Sequence, residues 1–155
     1  MKALFRAVAF PLVIFTVIIA CLRLDSVLGW RGVRMPELGV PLALVGLLIV
    51  LWTNGLFLTR GGGTAHPFAA KTQQLVMVGP YRYVRNPMIW GAGSLLIGSA
   101  LWLGSAGLWA AFAIFLTFVS LFVPFYEEHD MERRFGEAYR DYCRRVPRWL
   151  PRWPR

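Results

Sequence analysis

Between Pro87 and Tyr126 the chain runs for 40 residues without one charged side chain. No other feature restricts the fold as much. Hydrocarbon offers no water to a backbone N–H or C=O, and a helix is the structure that satisfies both within one segment. A crossing needs roughly 20 mostly apolar residues. The run is therefore too long for one span and suits two, joined by the small-residue break Gly104-Ser105-Ala106-Gly107. It predicts a helical hairpin over about 87–103 and 108–126.

Two more segments pass the same test. Residues 38–58 hold no charge, are entered through Met35-Pro36-Glu37 and are left through Thr59-Arg60-Gly61-Gly62-Gly63. Residues 7–22, a little short for a span, lie between Lys2 and Arg6 on one side and Arg23 on the other. Composition agrees with lipid as the solvent: 57% of residues are hydrophobic, seven are tryptophan, and mean hydropathy is +0.51. The expected fold class is all-α integral membrane, one domain over 1–155, with four transmembrane helices and a C-terminal amphipathic helix over about 127–143.

Lysine and arginine gather in short cytoplasmic loops. With four spans, the N-terminus, the central loop and the tail fall on one side and hold 14 of the 17 basic residues, leaving Arg23, Arg31 and Arg34 on the other. Both termini are thus expected in the cytoplasm of an inner or plasma membrane. The net charge of +9 is spread through segments such as Pro147-Arg148-Trp149-Leu150-Pro151-Arg152-Trp153, where arginine alternates with tryptophan and proline. That pattern fits a belt on anionic lipid and argues against nucleic acid as a partner. Cys21 and Cys143 lie at opposite ends of the chain and form no disulfide framework. Ile18-Ile19-Ala20-Cys21 has the look of a lipoprotein cleavage box. The three spans after it favour an uncleaved anchor.

The four spans contain no Asp, Glu, Lys, Arg or His, which disfavours an ion-coupled carrier. Chemistry then belongs to the central loop and the tail, which the charge pattern puts on the same face. The loop ends in Leu75-Val76-Met77-Val78-Gly79-Pro80-Tyr81-Arg82-Tyr83-Val84-Arg85-Asn86-Pro87-Met88-Ile89. Gly79-Pro80 marks a turn, and Pro87 suits the first turn of a helix because its missing N–H is not needed there. Read alone, the segment could be an interfacial lead-in with Tyr and Arg at the headgroups. The tail opens on Tyr126-Glu127-Glu128-His129-Asp130, with Met131, Phe135, Tyr139 and Tyr142 at helical spacing. A surface helix explains most of these. It does not explain Glu127 and Glu128 together at the rim of an apolar span, where like charges repel and are partly desolvated. A cationic ligand would relieve both costs. His66 and His129 have no metal-ligand spacing around them. Gly61-Gly62-Gly63 lacks the Lys and Ser/Thr of a phosphate loop, which leaves it a linker.

Together the two segments resemble the membrane methyltransferases that include isoprenylcysteine carboxyl methyltransferase and phosphatidylethanolamine N-methyltransferase. The resemblance spans about 73–151: the Gly79 to Pro87 run, a charge-free hairpin, the Glu127-Glu128 pair, Phe135-Gly136-Glu137-Ala138-Tyr139, Tyr142 and Val146-Pro147-Arg148. It implies S-adenosylmethionine bound on the cytoplasmic face by Gln73, Gln74, Leu75, Val76, Tyr81, Asn86, Pro87, Met88, Ile89 and Glu127, with Glu128 as the second acid of the phospholipid enzymes' cofactor pair. It also implies methyl transfer to a lipid or prenylated small-molecule acceptor. An amine acceptor must lose a proton, for which Glu128, His129 and Tyr81 are candidates. The carboxyl methyltransferases commonly carry His at the position of Asn86 and a substrate-binding arginine at that of Val123. Their absence here favours a lipid amine or another lipophilic acceptor over an isoprenylcysteine carboxylate. Two other readings stand beside this one. Sterol and steroid reductases share a similar Asn-Pro and terminal Tyr pattern but use NADPH and are much longer, and a non-catalytic scaffold would have no reason to keep these polar groups at the membrane rim.

Overall fold

A computed structural model describes residues 2–60 and 74–153, leaving aside the side chains of 2–11 and of Phe57. Gly61-Gly62-Gly63, His66, Lys71 and Gln73 lie outside the described residues. All regular structure described is helical. Helix α1 spans Lys2–Leu28, α2 Pro36–Arg60, α3 Pro87–Leu103 and α4 Ala106–Phe122; a π-helical turn over Val123–Glu127 leads into α5 (Glu128–Phe135), and α6 spans Glu137–Arg145. By length and apolarity, two helical runs among the described residues can cross a membrane: Pro36–Arg60 and Ala106–Phe135. Helix α3 is apolar and shorter, at 17 residues.

The hairpin closes at the expected break. Gly104 ends α3 in the left-handed region, φ +63°, where only glycine is free of strain. Ser105 then caps α4, its side-chain oxygen accepting from the Leu108 N–H at 3.0 Å. Helix α1 extends beyond 7–22 and ends by burying Asp25, whose carboxylate accepts from the Ser105 hydroxyl and, at 2.9 Å, from the Gly107 N–H. An acid at the positive end of α4 fixes α1 to the far end of the hairpin.

Helices α2 and α3 meet backbone to backbone. Gly39, Ala43 and Gly46 on α2 face Gly91, Leu95, Gly98 and Trp102 on α3, so closely that a Cβ on Gly46 would stand 2.4 Å from the Leu95 nitrogen. Small residues at such spacing let helices approach in lipid, where burial from water contributes nothing to association. Around this seam Val50, Ala92, Leu96, Ala100 and Leu108 form the core, while Leu48 and Ile114 stay 65% and 70% exposed on the outside. Apolar residues both inside and out are what a lipid-facing helix shows.

The single tail helix expected over 127–143 is corrected to two. Gly136, at φ +54°, breaks it between α5 and α6. The kink turns Tyr139 and Tyr142 inward, to pack with Leu75, Met131, Phe135 and Val146 rather than lie on a surface.

Candidate functional site

The loop before α3 is built by its prolines and glycine. Gly79 takes φ +60°, Pro80 sets the first turn of a short 3-10 helix over Gly79–Arg82, and Tyr81 is buried at 5% exposure. The tail returns across this loop as a strap. The Arg85 N–H donates to the Pro147 carbonyl and the Arg152 N–H to the Tyr83 carbonyl, both at 2.9 Å, and Trp90 Nε1 donates to the Trp149 carbonyl at 2.8 Å. Tyr142 reaches back from α6, its hydroxyl donating to the Tyr81 carbonyl at 2.8 Å. The sequence therefore brings loop and tail together through backbone carbonyls, with side chains left to face the space between.

That space is a cleft of about 180 Å³. The loop contributes Leu75, Val76, Tyr81, Arg85 and Asn86; α3 contributes Met88, Ile89 and Ala92; α4 contributes Phe115, Phe118, Val119 and Phe122. Glu127, Glu128 and Met131 close it from the far side, with Tyr139 and Tyr142 beneath. Pro124 explains the π turn: it lacks the N–H that would continue α4, and the chain widens until the Glu128 N–H bonds the Val123 carbonyl. The extra residue resets the helix face just where the two acids begin.

The two acids differ sharply. Glu128 is clamped: Oε1 accepts from Arg85 at 2.7 Å and from Arg148 Nε at 2.8 Å, and Oε2 from Arg148 at 2.6 Å. The mutual repulsion expected of the pair is thus answered for Glu128 by the protein itself, with Arg148 on the strap and Arg85 on the loop. Arg85 also lies 3.1 Å from the Cys143 sulfur. Glu127 has Glu128 and Asp130 as its charged neighbours and no cationic partner among the described residues. Burial first, and then the Glu128 and Asp130 carboxylates, oppose a charge on Glu127, the arrangement in which a bound cation gains most. Two donors are also unmet: Arg85 Nε and Asn86 Nδ2 are buried without a hydrogen-bond partner among the described residues. Each orphan costs about 1–3 kcal/mol and in a native site calls for a ligand or water.

Burial pushes the Tyr81 phenol well above the usual range, with Tyr142 and Glu127 adding to the effect and Thr53 opposing it. Burial likewise raises Tyr139 and Tyr142. All three are neutral near pH 7, and a neutral phenol is a poor proton acceptor. Of the residues singled out from sequence, Leu75, Val76, Tyr81, Asn86, Met88, Ile89, Glu127 and Glu128 line this one cleft. Gln74 is exposed and Pro87 is buried at the start of α3, and neither lines it. His129 is exposed and borders a separate depression behind Glu128, with Arg140 and Arg144. Sequence reasoning missed the part played by Arg85 and Arg148, although both stand in the motifs quoted, and gave no role to Thr53, fully buried on α2. It also read Tyr139 and Tyr142 as one face of a surface helix, because nothing in their spacing shows the turn at Gly136.

The sequence profile described as "Phospholipid methyltransferase" matches residues 35–138. It starts at the head of α2, so the likeness is not confined to the stretch from Gln73 onward that the motifs marked. A protein of Haemophilus influenzae (strain ATCC 51907 / DSM 11121 / KW20 / Rd), described as uncharacterized, is 38% identical over 56 residues, which is 36% of this chain and 89% of that protein. No solved structure matches the chain.

Proposed function

The chain belongs to the phospholipid methyltransferase family, and on that premise we propose that it transfers the methyl group of S-adenosylmethionine to a lipophilic acceptor, a phospholipid amine ahead of an isoprenoid or other lipid. The observation that carries the reading is convergence. Tyr81 and Asn86 before the hairpin, and Glu127 after it, share one cleft although about forty residues of chain separate the segments.

The residues fit the cofactor. Glu127, with no cation beside it among the described residues, suits a group bearing a sulfonium and an ammonium; Phe115, Phe118, Phe122 and Met88 give the apolar walls an adenine or a lipid needs. When bound, the cofactor supplies a methyl carbon open to in-line attack. The protein's task is to hold an acceptor about 3 Å away and keep water out. Leu75, Val76, Tyr81, Asn86, Met88 and Ile89 are the loop and α3 side of the proposed cofactor site, with Gln74 and Pro87 flanking it; the expected role of Gln73 falls outside the described residues. Glu128 serves through its two arginines, which hold the strap over the loop. The acceptor comes from the bilayer. A second groove of about 440 Å³ runs along α3 and α4, lined by Gly93, Ser94, Ile97, Phe112 and Leu116 with Trp90 and Trp149 at its border, and Ile89 touches both groove and cleft.

On the same reading the apolar segments 7–22, 38–58, 87–103 and 108–126 all cross the membrane, both termini are cytoplasmic, and the cofactor arrives from the cytosol. The test uses the protein in lipid nanodiscs with methyl-labelled S-adenosylmethionine and a membrane lipid extract. Label should move into a lipid band on chromatography. Glu127→Gln should weaken cofactor binding in calorimetry by about 10- to 100-fold, the worth of a hydrogen bond to a charged group, with an unchanged melting temperature. A wild-type protein that binds no cofactor, or a variant that binds as well as wild type, defeats the reading.

A further inference from the structure

The end of the bundle away from the cleft holds a polar cavity of about 480 Å³. Asp25 lines it from α1, Trp30, Arg31 and Arg34 from the connection to α2, and Gly104 and Ser105 from the hairpin turn. Helix α3 runs from the cleft to this cavity, and its 17 residues make about 25 Å, close to the roughly 30 Å of a hydrocarbon core. Both runs long enough to cross a membrane, Pro36–Arg60 and Ala106–Phe135, begin beside it. The cavity therefore lies at the headgroup level opposite the cleft. Its backbone is pinned: the Gly32 N–H donates to the Gly104 carbonyl and the Met35 N–H to the Leu101 carbonyl, both at 2.8 Å. Arg34 lays its stem along the turn, where a Cβ on Gly104 would stand 3.1 Å from the Arg34 Cβ and 3.6 Å from its Cδ. Neither Arg31 nor Arg34 forms an ion pair or a side-chain hydrogen bond among the described residues. Asp25 does not answer them. Its buried carboxylate is held by the Ser105 hydroxyl and the Gly107 N–H at the positive end of α4. Trp30, half exposed beside the two arginines, is of the type that settles among lipid headgroups.

We propose that this cavity binds the phosphate of a phospholipid from the leaflet opposite the cleft, with Arg31 and Arg34 as the two donors. A guanidinium presents its N–H groups in a fixed fork that matches phosphate oxygens, and two of them on one pinned connection hold the group from two directions. The bound headgroup covers the joint between the α1–α2 connection and the hairpin turn. Nothing in the assignment depends on methyl transfer, so either reading can fail alone. Soluble phosphate offers the same oxygens, and the experiment has to separate the two sources.

The experiment titrates the full-length protein, in an uncharged detergent, with phosphatidylglycerol carrying a photoreactive headgroup, and maps the labelled peptides by mass spectrometry. Label should appear on the connection between α1 and α2. Unlabelled phosphatidylglycerol should displace it, whereas diacylglycerol, which lacks the phosphate, and inorganic phosphate in large excess should not. Arg31→Gln and Arg34→Gln should each raise the lipid concentration for half-maximal labelling there by about tenfold, with labelling of the arginine-rich tail as an unchanged internal reference. Arg23→Gln, on the same end of α1 but outside the lining, should stay within about twofold of wild type. Should Arg34→Gln unfold the connection, Arg31→Gln decides, because exposed Arg31 has no partner to lose. Displacement by diacylglycerol reduces the cavity to an apolar contact and overturns the proposal. Displacement by inorganic phosphate as effective as by lipid gives the site to a soluble anion and overturns it too. So does an equal loss in all three variants, which would mean diffuse attraction to charge, or the absence of label from the connection in the wild type.

Discussion

Replacing Gly98 with alanine adds one methyl group at the point where α2 and α3 come closest. The new Cβ would lie 2.3 Å from the Ala43 nitrogen and 2.7 Å from its Cα, where ordinary contact begins at 3.4 Å. Both are backbone atoms, so no rotamer change relieves the clash and the helices must part by about 1 Å. The seam is continuous through Gly39, Gly46 and Gly91, and parting at one point loosens the others. A gap of that size forfeits about a quarter to a half of each dispersion contact. In lipid those contacts are the main attraction between the helices. Overpacking of this kind costs about 1–3 kcal/mol or more, against a gain of about 1 kcal/mol from replacing glycine in a helix interior. The net change is then a loss of up to about 2 kcal/mol or more. The control is Gly55→Ala on α2, where a new Cβ meets nothing within 4 Å. It should gain about 0.5–1 kcal/mol. Unfolding in mixed micelles by increasing dodecyl sulfate, followed by circular dichroism, ranks the two. If Gly98→Ala proves as stable as Gly55→Ala, the close seam is not what joins these helices.

Glu128→Gln strands Arg85 and Arg148 beside each other and should cost about 3 kcal/mol, a loss that eases with added salt; a melting point unmoved from wild type would show that the clamp does not hold the strap. Asp25→Ala removes the acceptor of the Ser105 hydroxyl and the Gly107 N–H, and should cost about 1–2 kcal/mol in the same unfolding assay while leaving cofactor affinity as it was. A change in affinity would mean that the far end of the hairpin couples to the cleft. A reporter fused after Arg155 should be active only when cytoplasmic, and activity in the periplasm would reverse the orientation.

The hairpin was legible because its signals are local. Forty charge-free residues dictate helix in any apolar solvent, and Gly104-Ser105 is a turn by its own backbone and side-chain chemistry. Tyr81, Asn86 and Glu127 could be named because a family's motifs preserve residue type and spacing. The charge pattern could put loop and tail on the same expected face without saying how they touch.

Sequence alone therefore settles the solvent in which this chain folds and the short stretches where chemistry can sit, since both depend on neighbours along the backbone. Tertiary structure decides the rest. Glu127 and Glu128 are adjacent and identical in composition, yet only the return of the strap gives Glu128 to Arg85 and Arg148 and leaves Glu127 facing the cleft. The break at Gly136, the buried Asp25 and the glycine seam are of the same kind. Each is a choice of partner made between segments far apart in the chain, and no pattern within one segment records which partner will arrive.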